Sequence, residues 1–167
     1  MKVTIGKYPK DSSKEQKISV KIDPWDTWGM DTTLAHIVVP MLKQLKETKH
    51  GAPFVDDEDV PIELSKSAAP PTENEWDTDD NHFKRWDWVM DEMIFAFESK
   101  LMDWEDQFWK VKPELDFTEY PEDEGQMTVP VRWKVKGDCD WEARDAYQAR
   151  ISNGFRLFGK YYEGLWD

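Results

Sequence analysis

The sequence predicts an α+β fold: two long amphipathic helices and one proline-kinked helix packed together, with a small antiparallel sheet beside them. Three observations predict it. Residues 77–108 place Phe83, Trp86, Met90, Met93, Phe97, Leu101, Trp104 and Phe108 at steps of three and four, the period of one helix face, with Lys84, Asp87, Asp91, Glu98 and Lys100 opposite. A second long stripe, Tyr147, Ile151, Phe155, Phe158, Tyr162 and Leu165, runs through residues 140–162 and just beyond. Short runs elsewhere alternate with the period of two that marks strands.

The elements follow in order. Val3 and Ile5 alternate briefly, and Ile18, Val20 and Ile22 alternate against polar neighbours, which predicts a half-buried strand over 17–22. Asp23-Pro24 ends that strand, because proline cannot continue the ladder. A helix is predicted over 30–48, capped by Asp31 or Thr32, with Leu34, Ile37, Val38, Met41, Leu42 and Leu45 as its buried stripe. Pro40 lies inside it. Proline removes one helical hydrogen bond and crowds the carbonyl four residues back, so a kink or break is expected between His36 and Pro40 at a cost of ~3 kcal/mol. Residues 51–79 form a long proline-rich acidic loop, in which residues 60–65 are compatible with one helical turn. After the long helix, 115–120 and 127–135 read as strands joined by a hairpin turn at PEDEGQ, with Pro130 restricting the second to an edge. Gly154 in the last helix costs ~1 kcal/mol against alanine, which implies close packing against another helix.

At 167 residues the chain fits one domain, 1–167, with the loop at about 51–79 and a variable β insert at about 110–138. Net charge is −13, so direct binding to DNA or RNA phosphates is disfavoured, whereas a basic protein partner or mimicry of nucleic acid is not. Ten tryptophans supply large apolar surfaces to an otherwise polar chain. The single cysteine, Cys139, excludes an intramolecular disulfide and fits a reducing cytosol. The N-terminal residues show no signal-peptide pattern, and no apolar run approaches the ~18 residues of a membrane span.

No catalytic signature is present. Asp77, Asp79 and Asn81 match the first positions of a calcium loop, but His82 stands where glycine belongs and Trp88 where the bidentate glutamate belongs. Helix capping by Asp79, Asp80 or Asn81 explains those residues better. His36, His50, His82 and Cys139 have the right donor atoms for a metal but no ligand spacing, so no metal and no cofactor are expected. His50 is expected at a helix C-terminus and His82 in a first turn. Asp91, Glu92 and Glu98 lack the Glu-x-x-His pattern of a di-iron site and read as a solvated acidic face. Cys139 sits between Asp138 and Asp140, which raise its pKa and make it a poor nucleophile. Trp88 falls off the apolar stripe, as a partner anchor can.

The blocks IDPWDTWGMDTTLA, PMLKQLKETKHGAPFVDDEDVP, NEWDTDDNHFKRWDWVMDEMIFAFE and NGFRLFGKYYEGLWD resemble a family of small uncharacterised proteins from tailed bacteriophages, especially marine and environmental ones. The resemblance covers roughly residues 18–98 and 151–167. It implies a phage origin and a role in the cytoplasm of an infected bacterium, or in the virion, and it carries over no functional residues. The reading that follows is a non-enzymatic accessory protein that binds a host or phage protein, basic or nucleic-acid-binding, through Asp56, Asp57, Asp59, Asp77, Asp79, Asp80 and Trp88. The alternatives are a virion structural component and an enzyme whose metal or nucleotide site is assembled only by the fold.

Overall fold

The computed structural model describes residues 1–11, 13–74, 76–116 and 132–166. It has the α+β architecture that the hydrophobic periods predict. The chain begins with β1 (Lys2–Ile5) and β2 (Ile18–Lys21), an antiparallel hairpin in which Val3 faces Val20 and Ile5 faces Ile18. A 3-10 turn at Pro24–Thr27, capped at its start by the reciprocal bonds of Asp23 and Asp26, leads into α1 (Met30–Thr48). Three short 3-10 turns, Asp57–Asp59, Ile62–Leu64 and Lys66–Ala68, organise the proline-rich stretch before α2 (His82–Ser99). Then come β3 (Trp109–Val111), β4 (Glu114–Asp116), β5 (Arg132–Val135), β6 (Asp138–Cys139) and α3 (Trp141–Lys160). In place of one small sheet, the described residues form three separate two-stranded ones, β1–β2, β3–β6 and β4–β5. The PEDEGQ turn and Pro130 lie outside the described residues.

α2 is the central helix and packs against both α1 and α3. Trp86, Val89, Met90, Met93 and Ala96 are fully buried along it, and burial on two sides explains why Arg85, Glu92 and Ser99 are buried too. The stripe predicted over 83–108 breaks after Ser99. The chain turns at 100–103 and re-forms as a 3-10 helix at Trp104–Phe108, whose Trp104 stacks on Tyr147 of α3 at 5.1 Å. Phe83 is exposed.

Two packing modes hold α2. Against α3 the contact is close: Gly154 lies against the Glu92 carbonyl and Ala96, as the mid-helix glycine implies. Phe97 meets Phe155 and Phe158 edge-on at 5.0 and 4.8 Å, and buried Glu92 accepts from both Nε and Nη2 of Arg150. Against α1 the contact is a ladder of ion pairs: Asp31–Lys100, Lys43–Glu98, Lys46–Asp91 and Lys49–Asp87. Of the acidic residues expected to be solvated, Asp91 and Glu98 stay half exposed while pairing with lysines of α1, and Glu92 is buried against Arg150 of α3. The pairing of residues 31 with 100 and 49 with 87 sets the two helices antiparallel. It also rotates α1, so that Ala35, Val39 and Leu42 are its buried residues while Leu34 and Met41 are exposed.

Of the kink or break expected at Pro40, the break is absent: α1 runs through it as one helix. Pro40 and His36 are both exposed, so the carbonyl that loses its helical donor faces water and the buried stripe is undisturbed. β2 is exposed along its whole length rather than half-buried; its alternation specifies one apolar face, and no helix of the described residues covers that face.

Candidate functional site

The residues singled out at 56–59 and 77–80 converge on the N-terminal end of α2, and the structure divides them into two groups. One group is structural. Asp59 is 4% exposed. Its Oδ2 accepts from Tyr161 Oη at 2.6 Å and pairs with Lys160 Nζ at 2.6 Å, and Arg156 Nη2 lies 2.7 Å from Oδ1. Lys160 also reaches Asp56 at 2.8 Å and Glu58 at 3.2 Å. The ammonium of Lys160 thus stands among the three carboxylates Asp56, Glu58 and Asp59, the one group of metal-ligating side chains that converges among the described residues. Burial pushes the Asp59 carboxyl up, but its bonds to Lys160, Tyr161 and Arg156 outweigh this and hold it below its ordinary 3.8. Burial, with the bond to Asp59, pushes the Tyr161 hydroxyl up to about 12. Tyr161 Oη in turn accepts the Asp56 N–H at 3.0 Å. This cluster ties the first turn of the loop to the end of α3.

Asp79 is the second structural acid. Its two oxygens accept from Nη1 and Nη2 of buried Arg85 at 3.0 and 2.6 Å, and Arg85 holds it below the usual carboxylate range. Arg85 Nη1 also donates to the Leu64 carbonyl at 3.1 Å, Asn81 Nδ2 to the Glu63 carbonyl at 3.3 Å, and His82 Nε2 lies 3.2 Å from the Ala52 carbonyl. Side chains of the first turn of α2 therefore pin residues 52 and 63–64 in place. Asp79 caps the entry by accepting the Asn81 N–H at 2.9 Å, whereas Asn81, at the N-cap position, makes no side-chain cap bond.

The other group faces outward. Glu63, Glu73, Asp77 and Asp80 are exposed and have no cationic partner among the described residues, and Asp57 accepts only the Lys66 N–H. Among them stand Phe54, Ile62 and Trp76, exposed by 82%, 73% and 82%. None of these three apolar residues shows a helical or strand period, so nothing in the pattern separated them from loop filler. The arrangement is an exposed surface of aromatic and acidic side chains, held to α2 and α3 through residues 52–66 and 79–82. It can bind a cationic, partly apolar segment, since Trp anchors interfaces and carboxylates steer cations.

No protein-family model, curated protein or solved structure matches this chain. Its chemistry is therefore read from its own geometry.

The remaining candidates do not join this surface. Trp88 is half-buried and packs on the core cluster. His36 lies exposed on α1 and His50 just beyond its end, while His82 is buried in the first turn of α2. Cys139 is buried in β6, where burial, with Asp140 and Asp138, raises its thiol pKa against the opposing Arg144. The four residues with metal donor atoms are thus on separate elements. A groove of about 530 Å³ between α1 and the end of α3 is lined by Val38, Met41, Leu45, Phe158, Tyr162 and Trp166, among others, and is almost wholly apolar. No helix of the described residues is long and apolar enough to cross a membrane.

Proposed function

We propose that this protein acts by binding a basic protein through the acidic, aromatic surface at the N-terminal end of α2. The carrying observation is the combination of Phe54, Ile62 and Trp76, all largely exposed, with the uncompensated carboxylates Glu63, Glu73, Asp77 and Asp80 on a loop whose residues 52–66 are clamped. Large exposed apolar side chains are costly on a solvated loop unless something covers them. A pre-organised surface also loses little entropy on binding. With the resemblance of the sequence to proteins of tailed bacteriophages, the partner is a host or phage protein with a cationic surface of the kind that otherwise meets nucleic acid. Asp56, Asp59 and Asp79 hold this surface in shape, and Asp57, Asp77 and Asp80 belong to its field.

The test is a titration of the full chain with a lysine-rich decapeptide. Binding is expected to weaken as salt rises, because screening shortens to ~8 Å at physiological ionic strength. It is expected to fall at least tenfold in Trp76→Ala, as hot-spot aromatics do. An affinity unchanged by salt and by Trp76→Ala overturns the reading.

A further inference from the structure

We infer that the protein associates with itself head to tail, the N-terminal hairpin of one copy docking on the acidic end of α2 in the next. This rests on the binding reading above: the surface that takes a basic partner also takes the basic hairpin of a second copy. Residues 1–22 carry six lysines, Lys2, Lys7, Lys10, Lys14, Lys17 and Lys21, against Asp11 and Glu15, a net +4 in a chain of net −13. Residues 56–80 carry ten acidic residues against Lys66. The two most oppositely charged segments among the described elements therefore belong to the same chain.

They cannot meet within one molecule. The hairpin leads into α1 beside the C-terminal end of α2, where Asp31 pairs with Lys100. The acidic surface gathers at the other end, around Asn81 and His82. The 18 residues of α2 at ~1.5 Å each separate them by about 27 Å. Opposite charges at opposite ends describe a heterologous contact, which builds rings or open chains.

The hairpin also needs a cover. A lone two-stranded hairpin is marginal in water. Here Ile5, Ile18, Val20 and Ile22 are all more than half exposed on one face. Next to it stand Trp25 and Trp28, 77% and 86% exposed, on a turn fixed by the Met1 amine 2.7 Å from Asp26. Together these present on the order of 700 Å² of apolar surface, near the ~800 Å² per partner of a stable interface. Phe54, Ile62 and Trp76 offer the matching apolar surface at the far end.

The experiment uses two full-length variants altered only at exposed residues. The hairpin variant is K7Q/K17Q/K21Q/W28A, and the acidic-end variant is E63Q/E73Q/D80N/W76A. In sedimentation velocity over roughly 1 µM to 1 mM, the range of weak to moderate association, the unaltered chain is expected to grow beyond a dimer. Each variant alone is expected to stay monomeric. An equimolar mixture of the two is expected to form a dimer and stop, because each retains one working half. A monomeric unaltered chain overturns the inference, and so does a mixture that fails to pair. Binding of the hairpin to phosphatidylserine vesicles or a single-stranded oligonucleotide by a chain that stays monomeric overturns it as well. The lysine-rich peptide separates the two readings. A monomeric chain that still binds it through the acidic end sinks self-association alone, and one that does not bind it sinks both.

Discussion

Gly154→Ala should destabilise the protein although alanine is the better helix former. A Cβ at Gly154 would lie 2.3 Å from the Glu92 carbonyl oxygen and 2.6 Å from Ala96 Cβ. Both obstacles belong to the backbone or to a stub, so neither can swing aside. α2 and α3 would have to separate by about 1 Å, and a gap of 0.5–1 Å already forfeits a quarter to a half of each contact it opens. The Phe97 packing on Phe155 and Phe158 and the Glu92–Arg150 pair lie along the same seam. Overpacking of this kind costs about 1–3 kcal/mol and sometimes more, against ~1 kcal/mol of helix propensity gained. The expected net loss is up to ~2 kcal/mol, a fall in Tm of up to about 8 °C for a chain of this size. Gly159 supplies the control on the same helix, because a Cβ there meets nothing within 4 Å. Gly159→Ala should gain ~0.4–1 kcal/mol. Urea unfolding followed by circular dichroism measures all three proteins. If Gly154→Ala is as stable as Gly159→Ala, the close approach of α2 and α3 is wrong.

Asp59→Asn should cost ~2–3 kcal/mol in the same assay, less than a fully buried pair because Lys160 and Arg156 can return to water; a loss within ~0.5 kcal/mol of zero would show that the cluster is ornamental to stability. Asp59 and Asp79 have folded pKa values below their ordinary 3.8, so their contribution is present above that value and is lost as pH falls through the folded pKa. Thermal melts should therefore show Tm dropping below about pH 4, and the drop should shrink in Asp59→Asn. Tyr161 runs the other way. Its hydroxyl titrates at about 12 in the fold against its ordinary 10.0, so stability should decline across that alkaline interval, and Tyr161→Phe should flatten the decline. Pro40→Ala should raise stability by ~1–3 kcal/mol by restoring the bond to the exposed His36 carbonyl; no gain would mean that the helix is already relaxed around the proline.

The helices were legible because a 3.6-residue stripe records burial directly. Trp86, Met90, Met93 and Phe97 stand where the period places them. The period could not show where α2 stops, because Leu101, Trp104 and Phe108 keep it after the chain has turned. Nor could it show how α1 is rotated, since that depends on lysines pairing with residues 38–69 positions away. The alternation of Ile18, Val20 and Ile22 reports that one face is apolar and leaves open whether anything covers it. The site follows the same rule. The acidic runs at 56–59 and 77–80 were visible as charge. Their division into structural and outward-facing residues was not, because Arg156, Lys160 and Tyr161, which neutralise Asp59, lie about a hundred residues further on.

The central claim is that the acidic, aromatic end of α2 is the binding surface. The most direct measurement is a ¹⁵N–¹H NMR titration of the full chain with the lysine-rich decapeptide. The account predicts shifts concentrated in residues 54–80, with the Trp76 indole N–H among the largest and all of them reversed by salt. Shifts centred on the groove of Val38, Met41, Phe158 and Trp166, or no shifts at all, would contradict it.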